Sequence, residues 1–214
     1  MTPIPPRVLI ATFNPGKARE LARLLARTGV AIVTPVDVGV REPYEETGST
    51  YEENARGKAM HYAALAGIAA LADDSGLEVD ALDGRPGPLS AHYGGAGLDD
   101  AGRCRLLLHE LGAAPEGGRT ARYVAVAALA SPAAREGPPP GTRLFRATCE
   151  GRIAAIMRGA HGFGYDPIFF YPPFDATFGE IEDGRKDTVS HRGLAQAAVS
   201  AFLQTAEGLA FLKE

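Results

Sequence analysis

Cysteine is nearly absent from the 214 residues: Cys104 and Cys149 stand alone, without a second Cys or a His at ligand spacing. That excludes a disulfide framework and a zinc site, and both are expected to be buried thiols. An excess of positive charge is missing too. The 26 acidic and 22 basic side chains leave a formal charge of -4, so there is no basic field to hold a nucleic-acid polymer by counterion release. Charge-free stretches such as residues 193–206 fall short of the roughly 18 apolar residues of a membrane span. The opening MTPIPPR has no signal-peptide core, so the expected location is the cytoplasm, with no membrane partner. Lysine is scarce as well, with only Lys17, Lys58, Lys186 and Lys213 among the 22 basic residues. An ammonium is a compact point charge suited to phosphate oxygens, whereas a guanidinium is a wide fork, so each retained lysine is a candidate phosphate contact.

What is present is a globular composition, 45% apolar and 22% charged, in a chain long enough to bury a full core. RVLIAT (7–12) is a strand, NPGK a tight turn, and Leu21, Leu24 and Leu25 mark one face of a helix. VAIVTPV (30–36) is a second strand. After the acidic loop REPYEETGS, Thr50 and Glu53 form a capping box for a helix to about Ala66. IAALA (68–72) is expected to be a buried strand stopping at Asp73-Asp74-Ser75-Gly76, with strand character resuming in LEVDAL (77–82). Asp99 or Asp100 caps a helix through Leu111. RYVAVAALA (122–130) and TRLFRATCEG (142–151) are strands joined across the Pro/Gly-rich SPAAREGPPPG as an antiparallel hairpin. GRIAAIM (151–157) is a candidate to pair next. GFGYDPIFFYP (162–172) is a glycine-aromatic stretch, and residues 190–206 form a final helix with Ser190 as N-cap. Early alternation of strands and helices followed by antiparallel strands gives an α/β fold with a mixed sheet, and no linker divides the single domain, 1–214.

Four features bear chemistry. Thr12, Asn14 and Lys17 lie between a strand end and a helix N-terminus, where backbone N–H groups and the helix dipole favour an anion, although the glycine pattern of a P-loop is lacking. The same residues would also serve as an ordinary turn. Asp73 and Asp74 interrupt a buried strand, where carboxylates need cations or a metal, and adjacent strand residues point to opposite faces. Glu45 and Glu46 could complete a hard-oxygen Mg²⁺ site, though for Glu46, Glu52 and Glu53 simple solvation is the stronger reading. In GFGYD, an aromatic ring can stack on a flat ligand while glycines admit close backbone approach. Ser190, His191 and Arg192 could read the edge of a heterocycle at a helix N-terminus. Phosphate cradle, acidic loop, aromatic platform and edge-reading triplet together describe a nucleotide site.

TFNPGK (12–17), EETGSTYEENARGKA (45–59), ADDSGL (72–77), FGYDPIF (163–169) and SHRG (190–193), in this order and spacing, resemble the Ham1/RdgB family of inosine/xanthosine triphosphate pyrophosphatases. The resemblance implies Mg²⁺-dependent hydrolysis of ITP, dITP and XTP to the monophosphate and pyrophosphate by a homodimer. It also implies a long mixed sheet with helical lobes on either side of a nucleotide cleft. Residue by residue, it implies that Thr12, Asn14 and Lys17 meet the triphosphate, with Lys58 and Ser75 on phosphates. Glu45 and Asp74 would hold Mg²⁺, with Asp74 also activating water. Phe163, Gly164, Tyr165 and Asp166 would hold the base, with Lys186, His191 and Arg192 at its edge. Two positions depart from the family pattern: Phe13 replaces a small residue, and His92 stands where arginine is usual. The Maf-like class, of the same fold and chemistry but other base preference, is opposed by the FGYD and SHRG blocks. A silent nucleotide-binding module would not need Asp74 or Glu45, whose charge opposes a triphosphate unless a metal intervenes.

Overall fold

The computed structural model describes residues 5–26, 28–112, 116–132 and 141–213. Seven strands form one mixed sheet in the order β2-β1-β3-β4-β5-β6-β7: β1 (Arg7–Ile10), β2 (Ala31–Val33), β3 (Ala69–Val79), β4 (Thr120–Ala130), β5 (Thr142–Ile153), β6 (Phe169–Tyr171) and β7 (Ala176–Thr177). β1 is parallel to β2 and β3, whereas β6 is antiparallel to β5 and β7. Six helices accompany them among the described residues: α1 (Pro15–Leu25), α2 (Tyr51–Ala66), α3 (Asp100–Leu111), α4 (Asp183–Lys186), α5 (His191–Leu203) and α6 (Ala206–Phe211). The expected α/β class with a mixed sheet is the observed one.

The chain falls into two compact units. One combines the chain up to Asp74 with Val126–Arg146 and the chain from Ala195 onward; the other comprises Ser75–Ala125 and Ala147–Leu194. In the first, Asn14 caps α1 by accepting from the N–H groups of Gly16 and Lys17 at 2.8 and 3.1 Å, with Pro15 at the first helical position. Leu21 and Leu25 are fully buried, each contributing about 1.5–3 kcal/mol relative to exposure. The Thr50–Glu53 capping box starts α2 and Gly67, at φ 63°, ends it. In the second unit, Leu77, Val79, Leu107, Tyr123, Ile168, Phe169 and Phe178 form the core. There Asp99 is the cap of α3, accepting from Gly102 N–H at 2.7 Å.

Three expectations need correction. β3 does not stop at Asp73: it runs unbroken through Asp73-Asp74-Ser75-Gly76, because both buried carboxylates meet polar partners, described below. Residues 151–157 do not form a further strand; β5 ends at Ile153 and its next neighbour is β6. The last helix does not extend to 206. α5 ends at Leu203, and Thr205 caps a separate α6 by accepting from Gly208 N–H at 3.0 Å. At the β4–β5 connection, Ser131 N–H donates to Gly141 O and Gly141 N–H to Ser131 Oγ, both at 3.0 Å, which closes the end of β4 on the start of β5. Residues 133–140 of that expected hairpin lie outside the described residues. Cys104 and Cys149 are buried and free, as expected.

Candidate functional site

In the first unit the polar residues converge on the middle of β3. Thr12 Oγ1 accepts from Asn14 N–H at 3.1 Å, so the turn before α1 is held by its own side chains and the α1 N-terminus is fixed in place. From the first turn of α1, Lys17 Nζ reaches Asp73 Oδ2 at 3.4 Å. Asp74 points to other partners, as expected of neighbouring strand residues: Asn54 Nδ2 on α2 donates to its Oδ2 at 3.1 Å. Burial is the largest influence on Asp74 and raises its pKa above the ordinary carboxylate value. Lys17 opposes the rise, Glu46 adds to it, and the Asn54 hydrogen bond and Lys58 oppose it. A buried carboxylate perturbed in this way marks a candidate functional site.

Lys58, itself buried on α2, forms an ion pair with Glu46. Glu46 is therefore more than a solvated loop residue, contrary to expectation, and its charge reaches Asp74 as well. Glu45 is exposed and lines a surface pocket with Arg41, Tyr44 and His61. Glu52 pairs with Arg146 at 2.7 Å, and Glu53 is used in capping α2. Among the described residues no three His, Cys, Asp or Glu side chains form a metal cluster. A Mg²⁺ site needs only one or two carboxylates, with substrate phosphates and water supplying the rest, and the hard-oxygen chemistry of Asp74 and the acidic loop suits it.

In the second unit the glycine-aromatic loop is organised by Asp166. Its Oδ2 accepts from Phe163 N–H at 3.0 Å and Lys186 Nζ at 2.9 Å, and its Oδ1 from Tyr123 Oη at 3.3 Å. Gly164 N–H donates to Asp100 Oδ2 at 2.7 Å. Tyr165 lies in the core with its hydroxyl donating to Ser90 O at 2.9 Å, so it builds the loop from beneath. Phe163 is the half-buried ring of the block, and the Arg192 guanidinium carbon and Lys186 Nζ lie 5.3 and 5.7 Å from its centroid. Arg192 Nη2 also donates to Ser75 Oγ at 2.8 Å, which ties the SHRG block to β3. His191 stacks on Tyr123 with centroids 4.4 Å apart and planes within 6°. Ser190 caps α5, its Oγ accepting from Gly193 N–H at 3.0 Å.

The structure thus places Thr12, Asn14, Lys17, Glu45, Lys58 and Asp74 in one unit and Ser75, Phe163, Gly164, Tyr165, Asp166, Lys186, His191 and Arg192 in the other. Sequence reasoning missed Asn54 and Tyr123. Asn54 was hidden behind the capping box beside it, and Tyr123 within an ordinary strand pattern. Phe13 is exposed with its ring 6.5 Å from that of Tyr62, and His92 is exposed at the end of a short helical turn.

Gly162 is required by this arrangement. It sits at φ 74°, and a Cβ there would lie 2.0 Å from Asp166 Oδ2. Asp166 cannot yield without releasing Lys186 and the Phe163 N–H. Gly162→Ala should lower stability by about 1–3 kcal/mol and raise the KM for a nucleotide substrate. Thermal unfolding with steady-state kinetics checks this, and a Tm unchanged within about a degree would contradict it.

Residues 8–202 match the Ham1 family. A dITP/XTP pyrophosphatase of Exiguobacterium sibiricum is 42% identical over 199 residues, covering 93% of this chain and 98% of that protein. One from Erwinia tasmaniensis is 46% identical over 189 residues, with 88% and 90% covered. Among solved structures, a HAM1 protein from Coxiella burnetii superposes with a TM-score of 0.81 at 38% identity, covering 92% of this chain and 98% of that one.

Proposed function

Because the chain belongs to the Ham1 family, we propose that it hydrolyses non-standard purine nucleoside triphosphates (ITP, dITP and XTP) to the monophosphate and pyrophosphate. The observation that supports this best is Asp74, a buried carboxylate with two lysines, Lys17 and Lys58, acting on it. Such an arrangement is costly for the fold alone and suits a cation and an anionic substrate together.

Thr12, Asn14 and the α1 N-terminus orient the triphosphate, and Lys17 and Lys58 neutralise its oxygens. Asp74 and Glu45 would hold Mg²⁺, which when bound polarises the phosphate by Lewis-acid chemistry. Asp74 accepts the proton of the attacking water. Phe163 stacks on the purine, Gly164 and the loop backbone approach its edge, and Lys186, His191 and Arg192 supply donors. Asp166 and Tyr165 hold this loop, and Ser75 contacts phosphate while accepting from Arg192. The same reading includes one catalytic domain, a homodimeric enzyme and a cytoplasmic location. Among the described residues no helix is long and apolar enough to cross a membrane.

Incubation with ITP and Mg²⁺ should release pyrophosphate, and chelation should stop it. Tight binding of Mg²⁺-ITP without turnover would instead identify a silent nucleotide-binding module.

A further inference from the structure

Asn54 is only 5% exposed, and both polar atoms of its side chain are used. Nδ2 donates to Asp74 Oδ2 at 3.1 Å, and Oδ1 accepts from Gly48 N–H at 2.8 Å. Asparagine is a poor residue for a helix interior, where its side chain competes for backbone partners. Here it stands directly after the capping box of α2. Glu53 Oε2 accepts from Ser49 N–H at 2.8 Å and Thr50 N–H at 3.2 Å, while Thr50 Oγ1 accepts from Glu53 N–H at 3.1 Å. The start of α2 is therefore fixed, and with it the place from which the Asn54 amide reaches out. Gly48 has no room for a side chain: a Cβ would lie 2.6 Å from Asn54 Oδ1 and 2.8 Å from Glu53 Cβ.

We infer that Asn54 is a positioning residue, whose amide sets the plane of the Asp74 carboxylate and couples it to the acidic loop carrying Glu45 and Glu46. A single amide with one oxygen on the loop backbone and its nitrogen on the carboxylate transmits a shift of either to the other. Partners of this kind, behind a metal-binding or proton-accepting carboxylate, commonly change affinity or rate by about 10–100-fold when removed. The role of Asn54 rests on the pyrophosphatase reading above, because it acts only through Asp74.

The test uses the full-length protein as Asn54→Ala, Gly48→Ala and the double variant, with two readouts. In ITP hydrolysis, kcat per folded enzyme should fall at least about 10-fold in each single variant while KM stays within about threefold. In the nucleotide-free protein, Mn²⁺ affinity measured by electron paramagnetic resonance should weaken by at least about 10-fold. The Gly48 methyl also meets Glu53 Cβ, a contact in the α2 cap that lowers Tm, but it reaches Asp74 only through Asn54, so in kcat per folded enzyme and Mn²⁺ affinity the double variant should be no worse than Asn54→Ala alone. A merely structural asparagine would lower Tm but leave kcat and Mn²⁺ affinity of the folded protein unchanged, and that result overturns the inference. So do fold-changes that multiply in the double variant. If Asn54→Ala does not fold, Gly48→Ala decides by the same two readouts. A wild-type protein that does not hydrolyse ITP would refute the pyrophosphatase reading, and the Mn²⁺ measurement would still decide whether Asn54 positions Asp74.

Discussion

Asp74→Asn should abolish turnover and leave the fold at least as stable as the wild type. The amide keeps the shape of the carboxylate and can accept from Asn54 Nδ2 through its own oxygen. It loses the charge that would hold Mg²⁺ and the capacity to take a proton from water, so kcat should drop by about 100-fold or more. Stability should move the other way. Burial raises the pKa of Asp74 in the ligand-free protein, so the folded state binds that proton more tightly than the unfolded chain. The resulting stability is fully present below the ordinary carboxylate value and is lost as pH rises through the raised one. At pH 7 the ionised side chain therefore weakens the fold, and a neutral isostere removes that weakness. Thermal unfolding should give Asp74→Asn a Tm equal to or above wild type at pH 7, with the difference shrinking in acid. An inactive but unfolded variant would make Asp74 a structural residue. A variant keeping more than about a tenth of wild-type kcat would move the proton-accepting role elsewhere, with Asp73 the first residue to examine.

ITP should be preferred over ATP by a large factor, about 10⁴ in kcat/KM. The groups fixed beside the Phe163 ring are cations: the Arg192 guanidinium at 5.3 Å and the Lys186 ammonium at 5.7 Å. Both only donate hydrogen bonds. Hypoxanthine and xanthine present an accepting oxygen at position 6, whereas adenine presents an amino donor there. Placing adenine there opposes donor to donor and leaves both unpaired. The Asp166 carboxylate could have accepted from an amino group, but it already accepts from Phe163 N–H, Lys186 and Tyr123. Parallel kinetics on ITP and ATP provide the measurement; comparable efficiencies would remove Lys186, His191 and Arg192 from base recognition.

The parts of this account that were legible in the sequence are those governed by neighbours in the chain. The Thr50–Glu53 box, the Asp99 cap and the Ser190 cap use side chains three residues from the amides they satisfy, so the motif and the structure coincide. The scarcity of lysine pointed to phosphate contacts, and the partners seen in the structure are carboxylates far along the chain. Three of the four lysines meet acidic partners: Lys17 pairs with Asp73, Lys58 with Glu46 and Lys186 with Asp166.

The parts that were not legible depend on partners far along the chain. Asp73 and Asp74 read as a strand break because local rules price a buried carboxylate without its cation, and Lys17 and Asn54 lie 56 and 20 residues away. Glu46 read as solvated because its lysine is on the next helix. Tyr165 read as part of a platform because a motif shows which residues cluster, and the side-chain directions come only with the core beneath. The break between α5 and α6 had a local signal, Thr205 three residues before Gly208, which the continuing apolar pattern obscured.

The most direct test of the central claim is the position of water attack. In the proposed reading Lys17, Lys58 and the α1 N-terminus would hold the outer phosphates, pyrophosphate would be the stabilised leaving group, and water that gives its proton to Asp74 would attack the α-phosphorus. ITP hydrolysed in ¹⁸O-labelled water, with mass analysis of both products, should give one labelled oxygen in IMP and none in pyrophosphate. IDP with labelled orthophosphate, or unlabelled IMP with labelled pyrophosphate, would contradict the roles assigned to Asp74 and the two lysines.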